Sequence, residues 1–179
     1  SKPALSTPFL TTRELFVLKL GTDADRAAYL ALLSKKRRAF LDGALTGKRA
    51  DLADAESWTT PRAVDQLEWF ATPMDLCRVL ATLDARAAKA AAAPLRDVLA
   101  INPGVPVDGK AFPYVGFKGG SEPGVLNLTW LLGRDDGKRF VVTIGVVSTA
   151  AGVDGEAAIT GYAGGVIDAL GRDGRAPAM

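Results

Sequence analysis

Lys118, Gly119, Gly120 and Ser121 interrupt an apolar stretch that otherwise reads YVGF before them and VLNLTWLLG a few residues later. A lysine presents a compact positive charge that can hold an anion. Adjacent glycines let a ligand come close to the backbone, where a Cβ would block it. Ser121 adds a hydroxyl and a further backbone N–H. Two kinds of element fit these residues. One is an ordinary hairpin with a solvated lysine. The other is an active-site edge strand whose glycines let a substrate approach the backbone.

Several other chemistries are excluded from this chain. It contains no histidine, so neither a Ser-His-Asp triad nor a His-based metal site can be built from it. Its one cysteine, Cys77, rules out an intrachain disulfide and a multi-cysteine zinc site, and its apolar neighbours mark it as a small core residue. The net charge of +2 gives no case for nucleic acid. The basic run Lys35–Arg38 reads as a solvated helix face. No stretch of ~18 apolar residues is present, so no transmembrane span is expected. Nothing calls for a metal or an organic cofactor.

The elements that position the lysine strand follow from periodicity. At 179 residues the chain suits one domain, or part of a larger one. Its first hundred residues read as helices. Thr11 and Glu14 form a capping box ahead of Leu15, Phe16, Leu18 and Leu20. Residues 22–43 carry one helical pattern, stopped by Gly43. Residues 44–71 are less regular. Thr72 caps a helix with Pro73 and Asp75 in its first turn, and Leu76, Val79, Leu80 and Leu83 line one of its faces. Pro94 ends the alanine-rich continuation.

The period then changes. A short strand is expected over 113–118, a turn at Ser121–Gly124, and a strand in which Leu126, Leu128, Trp130 and Leu132 share a face. Asp136-Gly137 centres a hairpin, with Arg134 and Arg139 as solvated flanks. Residues 139–148 are apolar enough for a strand covered on both faces. Asp154 caps a final helix with a stripe of Ile159, Tyr162, Ala163, Val166, Ile167 and Leu170. Trp58 and Trp69 read as packing anchors and Trp130 as a core residue between sheet and helix. The fold class is α+β, with residues 1–104 a helical portion and 105–179 a sheet-and-helix portion.

The order of these elements, with FKGGS at 117–121 opening a β-β-α terminus, resembles the C-terminal half of the serine β-lactamase and penicillin-binding protein superfamily. EWFATPMDLCRVLATL and TPFLTTRELFVLKL resemble helices of its β-lactamase-like hydrolases and actinobacterial esterases. The resemblance implies that the strand lines an active site, with Lys118 in the position of the motif lysine and Gly120 in that of its glycine. It further implies that Lys118 orients a substrate carboxylate and lowers the pKa of a nearby hydroxyl. Ser121 would lend its N–H to an oxyanion hole, an interaction worth about 3–4 kcal/mol in a transition state. Gly119 and Gly120 would line the substrate, a small ester, amide or β-lactam.

Three departures qualify the resemblance. Gly119 stands where the family has threonine or serine, so a hydroxyl that helps hold a β-lactam carboxylate is missing. Glu68 lies too close to the helix start at Thr72 to be assigned as the general base. Most important, the nucleophile motif S-x-x-K is absent: Ser1, Ser6, Ser34, Ser57, Ser121 and Ser148 are followed three positions on by Ala, Phe, Arg, Thr, Gly and Ala. No serine has asparagine two positions later.

The expectation is therefore a chain that partners the N-terminal half of the same protein, which would supply the serine and further strands. With neither methionine nor signal peptide at its start, it reads as a fragment or processed chain. Alone it is expected to aggregate or stay partly unfolded, because the meander would expose an unpaired edge. The resemblance implies a place outside the cytoplasmic membrane. Two other readings stay open: a non-catalytic ligand-binding or cell-envelope module of the same fold, and an unrelated α+β protein with a solvated lysine.

Overall fold

The computed structural model describes residues 2–173, with all side chains there except those of residues 52, 54 and 90. Ser1 and residues 174–179 of the two expected portions lie outside this range. The described chain is α+β: α1 Thr12–Leu20, α2 Asp23–Leu30, α3 Ser34–Gly43, α4 Leu52–Glu56, α5 Pro73–Ala87, a 3-10 turn Ala90–Ala92, α6 Pro94–Leu99, β1 Tyr114–Glu122, β2 Val125–Gly133, β3 Arg139–Val147 and α7 Glu156–Arg172. It divides into two compact units. The first comprises Ser1–Thr72, Glu122–Val125 and Val147–Gly152, and the second comprises Pro73–Ser121, Leu126–Val146 and Val153–Met179.

In the first unit, the capping box of α1 forms as its residues require. Thr11 accepts from the Glu14 N–H, and the Thr11 N–H donates to Glu14 Oε2 at 2.8 Å. Arg38 adds an ion pair to Glu14 at 2.6 Å. Burial pushes the Glu14 carboxyl up, but the Thr11 and Arg38 hydrogen bonds outweigh it and hold the group below its ordinary value. Leu15, Val17 and Leu18 pack with Tyr29, Leu41, Leu45 and Leu67.

The expected helix over 22–43 is two helices. Leu33 is extended, with ψ 146°, and separates α2 from α3. A straight helix would turn Tyr29 and Leu41 about 120° apart, whereas the bend brings both into one core. The basic run is also not uniformly solvated. Lys35 and Lys36 are exposed, but Arg37 is buried, stacks on the Tyr29 ring at 5.0 Å and donates to the carbonyls of Leu32, Ala4 and Leu5. Two of these acceptors, Ala4 and Leu5, lie some thirty positions away, where local charge patterning cannot see them.

In the second unit, Pro73 opens α5 as expected. The buried stripe is Leu76, Leu80, Leu83 and Ala87, all wholly or partly covered, while Val79 is half exposed. Pro94 begins α6 rather than merely ending α5, the first-turn position that proline tolerates.

The sheet has the order β1-β2-β3. β1 extends four residues past the expected end, through Gly119, Gly120 and Ser121 to Glu122. Pro123 and Gly124 then turn the chain, with Gly124 at φ 86°, as a type II turn requires. A Cβ at Gly124 would lie 2.3 Å from the Ser148 carbonyl oxygen.

Two hydrogen bonds fix the register of β2 against β3. The Arg134 N–H donates to Lys138 O at 2.9 Å and the Ser148 N–H to Gly124 O at 2.7 Å, equal steps along both strands. Even-numbered residues of β2 therefore turn their backbone groups to β3 and odd-numbered ones to β1. Leu126, Leu128, Trp130 and Leu132 share a core face, as the alternation predicts, with Val115, Phe117, Phe140, Val142 and Ile144 beside them and Ala163 and Ile167 of α7 in the same cluster. Trp130 is fully buried and donates to Pro103 O at 2.8 Å.

Three expectations change here. β3 is an edge strand, half covered along its length. The strand covered on both faces is β2, because a meander puts its middle strand in the centre. α7 is capped by Gly155 at φ 78°, one residue after Asp154, and Tyr162 is exposed. Arg134 is buried rather than solvated. It donates to Leu170 O and Asp173 O at the end of α7 and pairs with Asp136 at 2.6 Å, which holds the Asp136 carboxyl well below its ordinary range. Arg139 is partly exposed, 3.6 Å from Asp84.

Candidate functional site

The register decides what the lysine strand can present. Odd-numbered β2 residues bond across to Tyr114, Gly116, Lys118, Gly120 and Glu122. This pairing agrees with the 3.2 Å from a Cβ on Gly133 to that of Tyr114, and with the 5.1 Å between the Phe117 and Trp130 rings. The alternate residues, Phe117, Gly119 and Ser121, therefore aim their N–H and C=O groups at the open edge of β1. The Ser121 N–H is thus a donor directed away from the sheet.

The Lys118 side chain and the open side of Gly120 lie on the face opposite the core, and both residues are exposed. A Cβ on Gly120 would meet nothing within 4 Å, so the space above it is free for a ligand. The Lys118 ammonium turns back on the Gly119 carbonyl. Gly119 points to the core face, where a Cβ would come 2.9 Å from the Phe117 ring and 3.4 Å from Leu128. The missing hydroxyl at 119 thus has a steric reason, since Phe117 fills its place.

Across β2 and β3, Lys118 is followed by Thr129 and Thr143, and Gly120 by Asn127 and Gly145. Thr129 Oγ1 lies 2.9 Å from Thr143 Oγ1 and 3.3 Å from Asn127 Oδ1. A Cβ on Gly145 would approach the Asn127 amide at 3.0 Å. The face beside the lysine is therefore a polar file set among glycines, able to offer hydroxyl and amide contacts to an anion held by Lys118. The signal for it was the odd-numbered polar positions Asn127 and Thr129 in an otherwise apolar strand.

A second constellation, in the first unit, escaped the sequence reading. Lys19, near the end of α1, is 1 % exposed and pairs with both Glu68 and Glu122, the latter at 2.5 Å. Its ammonium lies 5.7 Å from the centre of the Trp58 ring, and the Arg62 guanidinium donates to the Lys19 carbonyl at 3.0 Å. Burial and the neighbouring Glu68 carboxylate together push the Glu122 carboxyl up to about 8, against the opposing pull of Lys19. A lone lysine inside LFVLKL was the available clue. Its partners lie 49 and 103 residues away. Trp58 is thus the lid of an ion cluster, while Trp69 is partly exposed, stacked on Phe9 and bonded to Leu10 O.

Among the described residues no three His, Cys, Asp or Glu side chains gather as a metal site requires. No helix among them is long and apolar enough to cross a membrane. Comparison with models of known protein families and with curated proteins gave no match.

Proposed function

We propose that this chain supplies one wall of the acyl-transfer site of a β-lactamase-like serine hydrolase acting on an ester, amide or β-lactam, with a nucleophilic serine from outside residues 1–179. The observation that carries this reading is the open edge of β1. There Lys118 and Gly120 share an exposed face and the Ser121 N–H points outward, ahead of two antiparallel strands and a helix packed on the sheet. In this reading Lys118 holds the substrate carboxylate, and a hydroxyl-bearing file through Thr129 and Thr143 supports it. The Ser121 N–H stabilises the oxyanion of the tetrahedral intermediate. The serine oxygen attacks the carbonyl carbon, the bond from that carbon to the leaving oxygen or nitrogen breaks, and the serine proton passes to that leaving atom; water later cleaves the acyl-enzyme.

The absence of S-x-x-K from the chain and of a hydroxyl at 119 favours a second reading, a ligand-binding module of the same fold. Labelling separates the two. The intact protein is incubated with a penicillin and with a fluorophosphonate, digested, and mapped by mass spectrometry. An adduct on one serine outside residues 1–179 is expected. An unlabelled protein would remove catalysis and leave the binding module.

A further inference from the structure

We propose that Lys19, Glu68 and Glu122 form a proton-operated clasp: with one proton held between the two carboxylates it fastens the β1–β2 turn to α1, and loss of that proton loosens the turn.

The geometry supplies the parts. The three side chains come from three separate elements: the last turn of α1, the loop before α5 and the last residue of β1. All are at least four-fifths covered, and Trp58 closes the cluster from above. The other charged groups around it are already committed. Arg62 bonds the Lys19 carbonyl, and Arg26 bonds the Leu18, Lys19 and Gly21 carbonyls while pairing with exposed Asp23. Neither adds a charge-to-charge contact to the carboxylates. One ammonium therefore faces two carboxyl groups.

The charge count then sets the behaviour. With one carboxyl protonated the cluster is neutral, and its O–H can donate to the other carboxylate. With both ionised, a negative charge is left in a desolvated place, and the two carboxylates repel. The proton departs to water through the partly exposed carboxyl of Glu122. In this proposal the turn is the element that yields; besides the clasp, the Ser148 to Gly124 hydrogen bond and Pro61 against Gly124 hold it within the first unit.

The linkage has a definite sign. The folded-state value of Glu122, about 8, lies above the ordinary value of 4.5. The stability this group contributes is full below 4.5 and is lost as pH rises toward 8.

Nuclear magnetic resonance of the intact protein from pH 5 to 10 tests the clasp. The amides of Glu122, Gly124 and Val125 and the Trp58 indole are expected to titrate together, with a midpoint between 7 and 9. The heteronuclear NOE of Gly124 is expected to fall above that midpoint. Glu122→Gln, which keeps a neutral donor, is expected to remove both changes. Glu68→Gln, which removes the neighbouring carboxylate and leaves burial opposed by Lys19, is expected to move the midpoint down. A wild-type midpoint outside 7–9, an unchanged titration in Glu122→Gln or in Glu68→Gln, or a titration without loss of order at Gly124 would overturn the proposal.

Discussion

Replacing Lys19 by methionine will lower the free energy of unfolding by about 3–5 kcal/mol at pH 8, the typical cost of removing one partner from a buried ion pair. Methionine matches the length of the lysine stem, so the loss is of charge and not of packing. What remains is a pair of partly buried carboxyls with no cation between them. At pH 8 that pair must bear the repulsion or take up a proton. At pH 5 protonation is cheap, so the deficit shrinks as pH falls. Equilibrium urea unfolding of the intact protein at the two pH values checks both parts. A deficit equal at pH 5 and pH 8 would show that Lys19 matters for its shape alone.

Trp130→Ala carries the second large effect, a loss of about 3–5 kcal/mol. The indole is fully buried in the cluster that joins the sheet to α7, 5.1 Å from the Phe117 ring. Its removal leaves a cavity beneath the lysine strand and takes the indole N–H from the Pro103 carbonyl, which keeps the Val105 N–H as a donor. Trp130→Phe separates the two terms, because it refills most of the volume and forfeits the hydrogen bond, at about 1–2 kcal/mol. Unfolding curves of both variants give the comparison. A phenylalanine variant as unstable as the alanine one would mean that the Pro103 bond, rather than packing, holds this layer.

Local rules made much of the fold readable. The Thr11–Glu14 capping box, the start of α5 at Pro73, the Asp136-Gly137 turn and the shared face of Leu126, Leu128, Trp130 and Leu132 each depend on residues within a few positions of one another. Local rules fail where the partner is distant in sequence. Arg37 and Arg134 look like solvent charges until the carbonyls of the N-terminal segment and of the α7 end arrive beside them. β3 looked like a doubly covered strand because apolar content does not record strand order. The break at Leu33 came from two core residues that no straight helix could point the same way.

The site was readable to a similar depth. Residue types alone marked Lys118, Gly119, Gly120 and Ser121. Only the pairing of β2 with both neighbours reveals that the Ser121 N–H faces the open edge, and that Phe117 occupies the space a side chain at 119 would need. Lys19, Glu68 and Glu122 are spread over a hundred positions and share no local signature.

The most direct test of the proposed hydrolase site is the rate at which a penicillin acylates the intact protein, with Lys118 intact and with Lys118→Ala. Lys118 is exposed and its ammonium bonds the adjacent Gly119 carbonyl, so the substitution is expected to leave the melting temperature unchanged. Losing the charge that orients the substrate is expected to slow acylation about 100-fold. Equal rates in the two proteins would show that the Lys118 strand is not a wall of the site.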